Sequence, residues 1–101
     1  MQSLYGVIKM PIIYLFATTW SSKCGDVVGY AVAEDGHCLA QHLSSSINFA
    51  KHDMGLNSTW KHELYYKHYP DGFELKWVDK YEDVPEGIRE RNRKLADMEE
   101  T

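Results

Sequence analysis

Five histidines and two cysteines are the residues of this 101-residue chain best suited to chemistry. Cys24, His37, Cys38 and His42 would converge if a strand through His42 lay beside the loop that carries Cys24. His37 and His42 also have the His–His spacing of zinc fingers. No C-x-x-C accompanies them, and strand alternation sends the two imidazoles to opposite faces. They read as ordinary polar or partly buried histidines, and the cysteines as reduced, mostly buried thiols. His52-Asp53, followed by His62 and His68, has the residue types of acid–base or nuclease chemistry. No second acidic residue lies near His52 on its other side, where position 57 is the neutral Asn57. Ser44-Ser45-Ser46 lacks the G-x-S-x-G elbow of hydrolases. No G-x-G-x-x-G or P-loop cradles a phosphate. The sequence therefore assigns no catalytic residue, no metal ligand and no cofactor.

The elements that would position these side chains follow from periodicity. Ile12 to Trp20 is apolar or small on both alternating sets, as expected for a strand covered on both faces. Asp26 to Ala33 is a second strand. Glu34-Asp35-Gly36 is a hairpin turn, because Asp-Gly supplies the positive φ such turns need. A third strand runs from His37 to Leu43. The serines at 44–46 then cap a short helix whose stripe is Ile47, Ala50 and Met54, and Gly55 suits a left-handed C-cap. A second helix spans Thr59 to Tyr69 and is stopped by Pro70. Phe73 to Asp79 is a fourth strand. Asp83 caps a last helix, with Pro85 in its first turn and Val84, Ile88, Leu95 and Met98 as its stripe. The expected fold class is α+β: a mainly antiparallel sheet of about four strands, with two or three helices packed on one face. The first three strands form a meander, and strand 73–79 lies at an edge or beside the first. Its Glu74, Lys76 and Lys80 guard that edge. The whole chain reads as one domain, with residues 1–10 a weakly patterned N-terminal segment.

Residues 58 to 85 hold two Trp, four Tyr and one Phe, interleaved with Lys, His and Glu. At ~100° per residue the helix through them carries two apolar sides instead of one. Trp60 and Leu64 share one side; His62, Tyr65, Tyr66 and Tyr69 share the other. A helix in a small domain needs one stripe for its core, so the second side is a candidate contact surface. The opposing reading is that both sides pack internally. Trp60, His62, Tyr65, Tyr66 and Tyr69 are the expected binding residues.

Composition narrows the classes further. Apolar residues at 44% and charged residues at 26% are ordinary globular values. A net charge of −4 argues against nucleic acid as the partner and is compatible with a basic protein surface. No apolar run reaches the ~18–20 residues a membrane-spanning helix needs, and no signal-peptide pattern stands out. The setting expected is cytoplasmic.

The segments HLSSSINFAKHDMG (42–55) and KHELYYKHYPDGFELKWVD (61–79) resemble small proteins encoded by phages and prophages. No activity is assigned to that group, so no residue role carries over. The resemblance implies an accessory factor that binds and modulates a host protein. The expected function is thus a small acidic, non-enzymatic interaction protein, with a host protein or a second copy as partner. The alternatives are a metal- or ligand-dependent enzyme on Cys24, His37, Cys38 and His42, or on His52 and His62, and a single-stranded nucleic-acid binder using the lysine–aromatic interleaving.

Overall fold

A computed structural model describes residues 10–21, 26–55 and 59–100, without the side chains at 20, 21, 59–61, 99 and 100. The N-terminal segment up to residue 9, Cys24, and the side chain of Trp60 lie outside the described residues. Four strands form one sheet: β1 (Ile12–Ser21), β2 (Asp26–Ala33), β3 (Cys38–Ser44) and β4 (Glu74–Trp77), in the order β3-β2-β1-β4. Helices α1 (Ile47–Met54), α2 (Thr59–His68) and α3 (Glu86–Glu100) complete the fold. The α+β class is as expected. β1 pairs antiparallel with β2, and β2 with β3, whereas β4 joins β1 in parallel.

The double apolar coding of β1 explains its central place. Ile13 and Leu15 point to one face and Tyr14 and Phe16 to the other, and all four are buried. Each such side chain contributes about 1.5–3 kcal/mol through burial. On the first face, Ile13, Leu15, Ala31 and Ala40 pack with Met54 of α1 and Tyr65 of α2. On the second, Tyr14, Phe16 and Val32 pack with Val78, Val84 and Ile88. Two helices thus share one face, and α3 covers part of the other. The reason is the apolar set on that second face, which a one-sided arrangement would leave in water.

The connection β3–α1–α2–β4 carries the chain from one edge of the sheet to the other. It packs closely on β2: a Cβ at Gly29 would approach Met54 Cγ to 2.9 Å. Ser46 caps α1, its Oγ accepting the Phe49 N–H at 3.3 Å. Three local expectations need correction. Gly55 ends α1 with φ −86°, in extended backbone and not the left-handed region. Ile47 is exposed although Ala50 and Met54 are buried, because the sheet lies under the far side of so short a helix. Asp83 closes a single 3-10 turn, Tyr81–Asp83, and α3 begins only at Glu86, after Pro85.

The hairpin turn between β2 and β3 is held tightly. Gly36 takes φ 95°, and a Cβ there would meet the Arg91 backbone at 2.8 Å. Asn92 Nδ2 donates to Gly36 O at 2.7 Å, and Arg91 Nε donates to Glu34 O at 3.0 Å. The middle of α3 therefore sits on the turn. Towards its end the helix outruns the core: of the expected stripe Val84 and Ile88 are buried, Leu95 is half-buried and Met98 is 70% exposed. No helix among the described residues is long and apolar enough to cross a membrane.

Candidate functional site

The expected aromatic contact surface on α2 does not survive folding intact. Tyr65 is fully buried in the first core, and its hydroxyl donates to Met54 O at 2.6 Å. Burial raises its pKa, and the nearby Cys38 adds to the rise. Tyr65, expected on the contact surface, is therefore a core residue with no exposed surface to offer a partner. The physical cause is that α2 lies in a notch between the sheet and the chain returning after Pro70, so both of its sides find apolar neighbours. Leu64 and Tyr69 pack against the same core. What remains near the surface is a small aromatic cluster. Tyr66 lies 4.7 Å from Phe73 and 5.2 Å from His62, centroid to centroid, and His62 lies 6.0 Å from Phe73. Tyr66 is exposed and His62 half-buried. Trp77 packs against the first core, with Lys51 Nζ 5.3 Å from its ring centre.

Nor, among the described residues, do the histidines gather in the combinations named for the enzyme alternative. His42 lies against Asp53, with Nε2 to Oδ2 at 3.1 Å, far along β3 from His37. His52 meets the other oxygen of Asp53 at 3.3 Å, and Ser44 Oγ approaches Oδ2 at 3.5 Å. The His52 hydrogen bond lowers the Asp53 pKa; burial opposes it, and His42 adds to the lowering. His62 belongs to the aromatic cluster, away from His52. Cys38, expected to be buried, is exposed, because it stands at the start of β3, the outermost strand on that side of the sheet.

A different set does come together. Asp35 sits in the hairpin turn, His37 follows it, and His68 is the last residue of α2. His68 Nε2 lies 2.8 Å from Asp35 Oδ2, and His37 Nδ1 lies 3.0 Å from Asp35 Oδ1. The donor atoms of all three lie within 4.8 Å of one another, and among the described residues no other group does this. Partial burial would raise the Asp35 pKa, but hydrogen bonds from the His37 N–H and from both imidazoles outweigh it and lower the carboxyl. Tyr69 lies alongside; burial and the Asp35 charge raise its pKa. His37 and His68 also line a cavity of about 360 Å³ with Cys38, Leu39, Leu64 and Lys67. These three residues are the ones that could hold a metal ion. Residue spacing gave no sign of them, since 33 positions separate Asp35 from His68. The topology was the available signal: β4 starts beside the beginning of β1, so α2 must end near the β2–β3 turn.

The second face of the sheet leaves an open groove of about 390 Å³ between its strands and α3, lined by Phe16, Thr18, Tyr30, Gln41, Tyr81 and Asn92 among others. Phe16 stacks on Tyr30 at 5.3 Å and meets Tyr81 at 5.4 Å. The two edges of the sheet differ in chemistry. β4 is four residues long and exposes Glu74 and Lys76. β3 is seven residues long, CLAQHLS, with no Asp, Glu, Lys or Arg. Near its end and just past it, the large apolar side chains of Leu43, Ile47 and Phe49 are 54%, 50% and 59% exposed. No known protein family, curated protein or solved structure matches the chain.

Proposed function

We propose that this chain is a non-enzymatic protein-binding module that receives an extended strand from its partner along the outer edge of β3. The observation that carries the reading is the unguarded edge itself. Folded proteins blunt exposed edges with charge, proline or short length. β4 has the first and third of these, and β3 has none of the three; its one irregularity is the register shift between Cys38 and Ala40 at its start. Strand addition uses the backbone groups of such an edge for affinity and flanking apolar side chains for specificity. Leu43, Ile47 and Phe49 supply the apolar part. The partner segment that fits is extended and uncharged along the strand, with basic flanks to complement the net charge of −4.

This moves the contact surface away from α2, where Tyr66, His62 and the half-buried Tyr69 remain of the aromatic set among the described side chains. A modulator of a host protein, the role that the phage resemblance implies, is one form such a module takes. The same reading keeps the chain in the cytoplasm, where Cys38 stays reduced.

Selection of a displayed random-peptide library on the purified chain tests the proposal. Enriched peptides should be uncharged at their centre and alternately apolar. Leu43→Lys should weaken them at least ten-fold, an effect of about 1.4 kcal/mol, and Lys76→Glu on the opposite edge should leave them unchanged. Absence of enrichment, or indifference to Leu43→Lys combined with Phe49→Ser, overturns it.

A further inference from the structure

We propose that Asp35, His37 and His68 form a binding site for a first-row divalent transition-metal ion, with open positions left for water or a small anion. The ligands would be His37 Nδ1, His68 Nε2 and a carboxylate oxygen of Asp35. An ion bonded at about 2.0–2.2 Å holds neighbouring ligand atoms roughly 3.0–3.5 Å apart. The two imidazole nitrogens already stand 3.0 and 2.8 Å from the carboxylate, and all donor atoms fall within 4.8 Å. Small side-chain rotations bring them to one point.

The scaffold favours that convergence. Asp35 Oδ1 also accepts the His37 backbone N–H at 3.1 Å, which aims the carboxylate at the histidine. The turn beneath is closed by Gly36 N–H donating to Ala33 O at 2.9 Å and by Ala33 N–H donating to His37 O at 2.9 Å. α3 clamps it from outside through Arg91 and Asn92. His68 arrives on a helix end that continues by a Tyr69 N–H bond to Tyr65 O at 2.9 Å. Its ring meets Tyr69 at 4.7 Å and His37 at 5.4 Å. Three ligands are thus delivered by two elements that are each fixed elsewhere, as a preorganised site requires.

The donor set decides the class of ion. Two imidazoles and one carboxylate suit zinc and its first-row neighbours, whereas magnesium and calcium call for oxygen donors throughout. Three protein ligands leave a tetrahedral ion one position short, the arrangement of open sites. Both imidazoles line the 360 Å³ cavity, and Lys67 on its wall suits an anionic fourth ligand. In the absence of metal, each imidazole–carboxylate contact is an ordinary hydrogen bond; the ion takes the place of the shared proton in both.

The probes are zinc chloride, followed by calorimetry, and cobalt(II) chloride, followed by visible absorption, each titrated into the full chain. One ion per chain is expected, with cobalt bands of low-coordinate geometry. Affinity should fall roughly ten-fold or more in Asp35→Asn and in His68→Gln, and stay unchanged in Asp53→Asn. Asp35→Asn retains an oxygen for the His37 N–H, so the turn is preserved, and His68→Gln lies outside the turn altogether. Circular dichroism of each variant separates lost binding from lost folding. No binding up to millimolar metal, affinity in both site variants unchanged from that of the unsubstituted chain, or loss only in Asp53→Asn overturns the proposal.

Discussion

Two aspartates in this molecule are each flanked by two histidines, and the two groups behave differently. Asp53 meets His42 from β3 and His52 from its own helix, at 3.1 and 3.3 Å, in a row along the surface. His52, one residue away, is 65% exposed and turns outward. Asp35 meets His37 and His68 at 3.0 and 2.8 Å, and the three donors close on one another beside a cavity. Residue types are the same in both. Each group also has one local and one distant histidine, so what separates them is the local one: His37 faces back across the turn to the carboxylate that His68 meets from the end of α2, whereas His52 turns outward from the helix that already carries Asp53. Composition supplies ligands, and only the placement of element ends makes them converge.

The strongest way to break this contrast is to remove what both groups rest on. Tyr65 ties α2, which carries His68, to the end of α1, which carries Asp53, through its 2.6 Å bond to Met54 O. Tyr65→Ala should cost about 3–5 kcal/mol in chemical denaturation. A cost near zero would return Tyr65 to the surface and revive the aromatic side of α2 as a binding face. A smaller perturbation acts on one group alone. Gly36→Ala forces a side chain into φ 95° and against the Arg91 backbone, and should cost about 1–3 kcal/mol. In amide spectra it should shift the Asp35 group and leave the Asp53 group in place. The smallest effect is electrostatic. The Asp53 carboxyl is depressed in the folded state, so its contribution is fully present above the ordinary value of 3.8. That contribution is lost as pH falls through the lowered folded value. In carbon-detected titration the Asp53 carboxyl should titrate below pH 3.8, and Asp53→Asn should flatten the acid limb of the stability curve below about pH 4.

Much of the architecture was legible in the residues. The both-sided apolar code of Ile12 to Ala17 placed β1 inside the sheet, Asp35-Gly36 marked the hairpin, the serines at 44–46 marked the start of α1, and Pro70 the end of α2. The fourth strand lies where expected, at an edge and beside β1, with Glu74 and Lys76 exposed. Its direction was not legible, because strand alternation is the same whichever way a strand runs. That one unknown hid the Asp35–His68 contact. Burial of Tyr65 was hidden for a related reason: helical periodicity shows two apolar sides but not the return of Phe73 over one of them. The chemistry of the β3 edge stood open in CLAQHLS, yet an uncharged strand becomes conspicuous only once it is known to be outermost.

Titration of zinc into the ¹⁵N-labelled chain, with the imidazole nitrogens observed directly, tests the contrast between the two groups most squarely. One equivalent should move His37 Nδ1 and His68 Nε2 together and leave His42 and His52 where they were. If the four imidazoles respond alike, or His42 and His52 respond first, the Asp35 group holds no advantage over its counterpart, and the site drawn here is wrong.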